Sequence, residues 1–305
     1  MSPANVHHHR VDAGEVELDV EVAPPFVATA AVPPTVLLVS GLGSQRIDWP
    51  PELVEALRAS GLRVVSYDQR DAGASTLLDD RPGEVEDLQR WLAREPFAVP
   101  YTLADMAADA VAVLDHLEVA HAHVVGRSMG GMIAQRLAAS SPERVASLVS
   151  LQSTTGAEGV GRPWPEALAA LAAPVPETRE EVIEAGVARA RVTGSPDLFD
   201  EERVRARLTA AHDRSHRPAG TTRQLLAILA DGDRTPLLRT VTAPTLVMHG
   251  DQDTLVDVSG GVATAAAIPG AQLLLLERIG HDLPLPVLPT VAGAIVGHLW
   301  RSVED

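Results

Sequence analysis

The sequence AHVVGRSMGGMIAQ, residues 122–135, places a short apolar run, a Gly-x-Ser-x-Gly turn and a helix-forming run in that order. A strand, a tight turn around a serine and then a helix make up a nucleophile elbow. Gly126 and Gly130 leave space where side chains would collide, and Ser128 can take the strained backbone that points its Oγ outward. The stretch therefore predicts Ser128 as a nucleophile. The alternative is a glycine turn that only packs a helix on a sheet.

Length and composition suit one large α/β domain, or one domain with an insertion. Of the 305 residues, 46% are hydrophobic, and no apolar run is long enough to span a bilayer. The formal net charge of −16 argues against binding to nucleic acid or to an anionic membrane. Cysteine is absent, which excludes disulfides and thiolate sites. The N-terminus shows no signal-peptide pattern, and we expect a cytoplasmic protein.

The other apolar runs predict a mostly parallel sheet. The run at 35–39 is continuous, as expected for a strand buried on both faces, and a helix at 52–59 and a strand at 62–68 follow it. This spacing predicts a right-handed crossover between parallel strands. The alternating apolar and acidic segment at 16–22 predicts a half-exposed antiparallel strand. Further predicted elements are helices near 85–92, 102–117, 258–267 and 287–300 and strands at 145–151, 243–248 and 272–276.

From about residue 154 to residue 240 the pattern becomes purely helical. An all-helical block inside a strand and helix alternation predicts an inserted lid, or cap. The predicted division is a first core part at 1–153, the cap at 154–240 and a second core part at 241–305. The helical segments of the cap are predicted near 164–173, 177–193, 200–214 and 220–230.

A serine hydroxyl is a weak nucleophile near neutral pH and needs a base that is oriented by an acid. In an open parallel sheet, functional groups collect beyond the carboxyl ends of the strands. His281 follows the strand at 272–276, behind a glycine, and is the predicted base. Asp253 follows the strand at 243–248 and is the predicted acid, with Asp251 as its rival. The order Ser, Asp, His along the chain is the one that this motif class uses.

Acyl transfer also needs hydrogen-bond donors for the oxyanion that develops on the carbonyl group. The N–H of Met129, directly after the nucleophile, is one predicted donor. The loop at 40–44 follows the first buried strand, and there we predict the Leu42 N–H as the second donor, since Gly41 allows a close approach of the backbone. An ordinary glycine turn is the alternative for this loop.

Other site chemistries lack the residues that they need. The His-Glu-x-x-His spacing of a metal site is absent, and without lysine there is no Gly-x-x-x-x-Gly-Lys phosphate loop. Gly41 and Gly43 lack the third glycine of a dinucleotide site. We therefore expect neither a metal nor a cofactor, and interpret the three histidines at 7–9 as a solvated segment. Arg127, inside the elbow, is either a structural side chain beside the sheet or a cation that faces the substrate.

Together these residues resemble the α/β-hydrolase superfamily, and most of all its capped esterase subgroup that includes aclacinomycin methylesterase. The resemblance covers nearly the whole core and is weak in the cap. The motifs that carry it are SGLGSQ at 40–45 with Trp49 and Pro50, YDQRDAGAS at 67–75, YTLADM at 101–106, the elbow, and GHDLP at 280–284.

The resemblance implies an α/β-hydrolase fold, with a mostly parallel eight-stranded sheet flanked by helices and an inserted helical lid. It implies Ser128 as nucleophile, Asp253 as acid and His281 as base. It also implies Leu42 and Met129 as oxyanion donors, and no cofactor.

The resemblance also makes Gly41, Gly43, Trp49 and Arg127 candidates for the substrate pocket. Two positions depart from the family pattern. Ser40 stands where many relatives have histidine, and Arg127 stands where a small, apolar or histidine residue is common. Both departures leave the acyl preference open.

The expected function is hydrolysis of a carboxylic ester through an acyl-enzyme intermediate. The apolar cap favours a small hydrophobic ester, with a methyl ester or lactone of a natural product as one candidate. Perhydrolase (haloperoxidase-like) chemistry and acyl transfer to an alcohol are alternatives with the same triad. A ligand-binding protein on a hydrolase fold is an alternative of another class. We expect no nucleic-acid partner and no membrane insertion, and a homodimer stays open.

Overall fold

The computed structural model describes residues 6–27, 32–173 and 176–304, and an eight-stranded sheet forms its centre. The strands are β1 (His7–Asp12), β2 (Glu17–Ala23), β3 (Thr35–Val39), β4 (Arg63–Tyr67), β5 (Ala122–Arg127), β6 (Val145–Leu151), β7 (Thr245–Gly250) and β8 (Gln272–Leu276). Their order across the sheet is β1-β2-β4-β3-β5-β6-β7-β8. β2 pairs antiparallel with β1 and β4, and all other neighbours are parallel. The predicted mostly parallel eight-stranded sheet is confirmed.

Helices cover both faces of this sheet. They are α1 (Pro51–Ala59), α2 (Val85–Leu92), α3 (Leu103–His116), α4 (Met129–Ser140), α5 (Pro165–Ala172), α6 (Arg179–Thr193), α7 (Glu201–Arg214), α8 (Pro218–Asp231), α9 (Thr235–Leu238), α10 (Ser259–Ala267) and α11 (Leu288–Glu304). One apolar core lies between the sheet and α3 and α4, and a second lies between the sheet and α1 and α11. Within the described ranges, no helix combines the length and the apolar character needed to cross a bilayer.

The burial of the strands follows their sequence patterns. All residues of β3 are buried, in agreement with its unbroken apolar run. In β2 the side chains of Leu18, Val20 and Val22 are buried, and the acidic residues between them are partly exposed. A central strand and a strand covered on one face are expected to differ in this way.

Two elements were not predicted, and the start of β7 differs from the sequence prediction. The strand β1 was not predicted, because Val11 is its only buried residue and no apolar alternation marks it. The helix α9 is a single turn, too short to show a period. The strand β7 begins at Thr245 and not at Ala243, since Pro244 has no N–H to donate to the neighbouring strand.

Between β6 and β7 the described residues form helices and loops and no strand, and we use the name cap for this segment. The four predicted helical segments correspond to α5, α6, α7 and α8. Few side chains of these helices are buried. Ile183 and Val187 are the buried apolar residues of α6, Leu226 and Ala227 those of α8, and α7 has none.

Candidate active site

Ser128 lies at the tight turn between β5 and α4, with a φ of +56° that side chains rarely adopt. The turn leaves no room for side chains around it. A Cβ on Gly126 would lie 2.1 Å from Gly130 O, and a Cβ on Gly130 would lie 2.0 Å from Val39 O. The N–H of Ser128 donates to Leu151 O at 2.9 Å and so ties the turn to β6. The backbone thus has the strand, turn and helix of a nucleophile elbow.

Three predicted residues come together at this turn, beyond the carboxyl ends of β5, β7 and β8. Nε2 of His281 lies 3.1 Å from Oγ of Ser128, and Nδ1 of His281 lies 2.6 Å from Oδ2 of Asp253. The side chain of His281 is 8% exposed and that of Asp253 is fully buried. With the proton on Nδ1, the ring donates to Asp253 and its Nε2 is free to accept the hydroxyl proton. This arrangement is able to activate a serine hydroxyl.

The surroundings of Asp253 keep its carboxylate ionised. Its Oδ1 accepts from the N–H groups of Leu255 and Val256, at 2.9 and 2.8 Å. A second histidine, His249, has Nε2 at 3.4 Å from Oδ2 of Asp253 and at 2.7 Å from Val256 O. Burial alone raises the pKa of Asp253, but His281 and His249 outweigh it and hold the pKa well below its usual value. The contact between His249 and the acid could not be predicted from the sequence alone.

Asp251, the rival acid, lies in a different contact. Its Oδ1 accepts from the N–H of Arg278 at 2.6 Å, in a turn where Arg278 has a φ of +61°. Its own N–H donates to Leu276 O at 3.1 Å. Asp251 therefore stabilises the turn after β8, and the carboxylate beside the imidazole is that of Asp253. Sequence spacing could not separate the two, since both follow β7.

The loop after β3 lies against the nucleophile. A Cβ on Gly41 would lie 3.3 Å from the Ser128 Cβ and 3.4 Å from Arg127 O. Leu42 follows and packs against the core. Met129 is fully buried and is the first residue of α4, where helix geometry leaves the N–H groups without partners in the helix. The two predicted oxyanion donors thus lie on segments that adjoin Ser128.

The other pocket candidates lie on two sides of this loop. Gly43 faces the cap, where its N–H donates to Oε1 of Gln224 in α8 at 2.8 Å. Trp49 is 6% exposed and packs with the core between the sheet and α1. A small pocket of about 10 Å³ lies beside the nucleophile, with room for about one water molecule. Its lining residues are Ser40, Gly41, Ser44, Asp48, Trp49 and Arg127.

Arg127 and Gln152 hold the backbone around the histidine. Nη2 of Arg127 donates to His281 O at 2.6 Å, and Nε donates to Oε1 of Gln152 at 2.8 Å. Nε2 of Gln152 donates to Gly280 O and Asp282 O, at 2.7 and 2.9 Å. Three successive carbonyl groups therefore accept from two side chains. We call residues 280–282 the histidine loop. Arg127 both supports this loop and borders the pocket. Gln152 was missed, because a glutamine after a buried strand is no signal by itself.

Burial lowers the pKa of the Arg127 guanidinium, and the carboxylate of Asp282 acts in the opposite direction. An arginine still carries its charge near neutral pH after such a shift. A partly buried cation therefore lies next to the nucleophile, and its hydrogen bonds to Gln152 and His281 O partly compensate for the loss of water.

The histidines at 7–9 lie in β1, separated from β5 by three strands of the sheet. The ring of His9 meets the ring of His116 edge-on, with centroids 5.5 Å apart. In the part of the chain that the structure describes, no three His, Asp or Glu side chains are grouped so that they could hold a metal ion.

Comparisons with known proteins identify the family of this chain. A family described as alpha/beta hydrolase fold matches residues 34–285. Rhodomycin D methylesterase DnrP of Streptomyces peucetius is 33% identical over 294 residues, which cover 86% of this chain and 89% of the relative. Rhodomycin D methylesterase DauP of Streptomyces sp. (strain C5) is 32% identical with the same coverage. The enol-lactonase from Burkholderia xenovorans LB400 has a similar fold, with a TM-score of 0.71 and 23% identity over 96% of this chain and 100% of its own.

Proposed function

Since the chain belongs to the alpha/beta hydrolase fold family and is a carboxylic ester hydrolase, we propose that it cleaves its ester with a Ser128, His281 and Asp253 triad. The observation that carries the proposal is the chain of contacts from Ser128 Oγ through the imidazole to the buried carboxylate, at 3.1 and 2.6 Å. A hydroxyl, a base and an orienting acid in this order are what acyl transfer to serine requires.

The first half of the reaction forms the acyl-enzyme. Oγ of Ser128 attacks the ester carbonyl carbon while Nε2 of His281 takes the hydroxyl proton. The N–H groups of Leu42 and Met129 donate to the oxyanion of the tetrahedral intermediate. The carbon–oxygen bond to the alcohol then breaks, and His281 returns the proton to the departing oxygen. Asp253 stays ionised throughout and holds the imidazole in the tautomer with the proton on Nδ1.

The second half consumes a water molecule. Nε2 of His281 takes a proton from the water, whose oxygen attacks the acyl carbon. The new tetrahedral intermediate uses the same two donors, and its collapse releases the carboxylic acid and restores the Ser128 hydroxyl. No metal or cofactor takes part in either half.

The proposed substrate is a small hydrophobic ester, with a methyl ester or a lactone of a natural product as the first candidate class. Two relatives at 33% and 32% identity, both rhodomycin D methylesterases, support a methyl ester. The net charge of −16 supports a small-molecule partner over nucleic acid.

Turnover of p-nitrophenyl esters from acetate to octanoate, together with methanol release from hydrophobic methyl esters, tests the proposal. We expect Ser128→Ala to lower kcat by about 10⁴-fold or more, because the covalent route is lost. Ser140→Ala, at the opposite end of α4, is the matched control and should retain wild-type activity. Full activity of Ser128→Ala would refute the proposal. Products measured with added hydrogen peroxide or alcohol distinguish hydrolysis from perhydrolysis and acyl transfer.

A further inference from the structure

The last two residues of α6 and the two residues that follow it, 192–195, contact the loops of both the base and the acid. The carbonyl of Thr193 accepts from the N–H of His281 at 2.7 Å. Oγ1 of Thr254, the residue after Asp253, donates to Val192 O at 2.9 Å. The base and the acid are 28 residues apart in sequence, and this segment lies outside the interval between them. We call residues 192–195 the α6 end.

Ser195, the last residue of the α6 end, holds the residues on both sides of the base. It is fully buried. Its Oγ accepts from the N–H of Gly280 at 3.0 Å and donates to Oδ1 of Asp282 at 2.5 Å. Its N–H donates to the same Oδ1 at 3.0 Å. One serine of the cap therefore bridges the neighbours of His281 on either side.

The backbones of the two segments are in direct contact. A Cβ on Gly280 would lie 2.4 Å from both the carbonyl carbon and the oxygen of Gly194, and 2.7 Å from Thr193 O. A Cβ on Gly194 would lie 2.9 Å from Oδ2 of Asp282. Only glycine allows this approach at position 280. The backbone of the α6 end therefore packs directly against the backbone of the histidine loop.

The histidine loop is thus held from two directions. Its carbonyl groups accept from Arg127 and Gln152 of the core, while its N–H groups at 280 and 281 donate to the cap. If only the core held this loop, its N–H groups at 280 and 281 would have no hydrogen-bond partners. A buried N–H without a partner is unfavourable, and the loop can avoid this by moving.

We propose that Ser195 is a positioning residue for His281, so that the docked cap sets the geometry of the base. The inference rests on the proposed function, in which His281 is that base. Without the Ser195 hydroxyl, Gly280 loses its acceptor and Asp282 loses a donor, and the imidazole shifts relative to Ser128 Oγ. A displacement of about 1 Å in a catalytic group can cost about 100-fold in rate.

This role predicts an effect on the chemical step and not on substrate affinity. Ser195 has no exposed surface, and its hydroxyl is engaged in two hydrogen bonds within the protein. We therefore expect Ser195→Ala to lower kcat with little change in KM. The same fall should be seen in the rate at which a small fluorophosphonate labels Ser128, since labelling also requires the base.

The experiment compares labelling rates, kcat and KM on p-nitrophenyl acetate for the wild type and four variants, with a thermal unfolding curve for each. Ser195→Ala should lower the labelling rate and kcat by about 10- to 100-fold. Asp282→Asn keeps an Oδ1 acceptor for Ser195 and should react faster than Asp282→Ala. Ser259→Ala is the matched control, since Oγ of Ser259 accepts from the N–H of Gly161 at 3.0 Å across another contact between cap and core.

Wild-type rates in Ser195→Ala, or a fall no larger than that in Ser259→Ala, would overturn the inference while leaving the proposed function intact. If Ser195→Ala does not fold, the two Asp282 variants decide: a faster Asp282→Asn supports the inference and equal rates overturn it. Failure of the folded wild type to label at Ser128 would overturn the proposed function and the inference together.

Discussion

The carboxyl edge of the sheet and helix α7 of the cap are stabilised by different kinds of interaction. At the sheet edge, backbone meets backbone, and Gly126 and Gly130 have no room for a side chain. In the cap, α7 has no buried residue, and several of its arginines form ion pairs. Its side chains pair within the cap, as Arg205 does with Glu184, and with the core, as Arg203 does with Glu52. Close backbone packing therefore holds the edge, whereas exposed ion pairs contribute to holding α7.

This difference affects what each region can tolerate. Exposed ion pairs contribute about 0–1 kcal/mol each to the free energy of unfolding. Substitutions that remove the exposed ion pairs of α7 should therefore destabilise the fold little. Close backbone packing allows no such change. The α6 end differs from α7, because Ser195 is buried and contacts the loop of the base.

The largest effect is expected for the acid at the sheet edge. Asp253→Asn should lower kcat by about 10³- to 10⁴-fold, because an amide no longer stabilises the imidazolium or holds its tautomer. Asp251→Asn, two residues earlier, is the matched control and should retain most activity, since its side chain accepts from the Arg278 N–H. Steady-state kinetics on one p-nitrophenyl ester measure both. The reverse result would mean that the acid has been assigned to the wrong residue.

Replacing an ion-paired arginine by methionine should lower the free energy of unfolding by unequal amounts in the two regions. Arg70 donates two hydrogen bonds of 2.7 Å to Asp109, and both side chains are buried. Arg70→Met leaves a buried carboxylate unpaired and should lower the free energy of unfolding by about 3–5 kcal/mol. Arg203→Met removes a pair with side chains 36% and 39% exposed and should cost about 0.5 kcal/mol. Denaturant unfolding measures both, and equal costs would contradict the comparison.

A smaller effect is expected from His123, in the strand that carries the elbow. Burial lowers the pKa of His123 to about 4 from 6.5, and Nδ1 lies 2.8 Å from Ser147 Oγ. Between these values the unfolded chain binds the proton and the folded protein does not. The free energy of unfolding should therefore fall as the pH is lowered, by about 2 kcal/mol between pH 7 and pH 5.

Urea unfolding of the wild type and of His123→Asn at both pH values isolates this contribution. The variant should lose about 2 kcal/mol less than the wild type over the interval. His121→Gln, at an exposed histidine two residues earlier, is the control and should leave the wild-type dependence unchanged. If the free energy of unfolding falls equally between pH 7 and pH 5 in the wild type and in His123→Asn, this buried histidine does not account for the fall.

Local patterns in the sequence were sufficient to predict most strands and helices of the core. They also predicted the three residues that meet at the carboxyl edge of the sheet. The elbow is a contiguous motif, and the strands that precede Asp253 and His281 are apolar runs whose ends can be read directly. Because parallel strands end at a common edge, their ends could be assigned to one place before any distance was known. The polar strand β1 gave no such pattern and was missed.

Contacts between distant polar residues could not be predicted in the same way. Ser195 and Asp282 are 87 residues apart, and neither belongs to a periodic pattern or a motif that names its partner. The choice between Asp251 and Asp253 depends on how the chain turns after β7, which spacing alone does not determine. The dual position of Arg127, against the histidine loop and the pocket, depends likewise on Gln152, directly after the neighbouring strand β6.

The assignment of Ser128 as the nucleophile is tested most directly by the intact mass of the protein after reaction with a fluorophosphonate. Attack by Oγ on phosphorus expels fluoride and leaves one stable adduct per chain. We predict stoichiometric labelling of the wild type, located in the peptide that contains residues 122–135, and no labelling of Ser128→Ala. A folded wild type that stays unlabelled, or an adduct that persists in Ser128→Ala, would contradict the assignment.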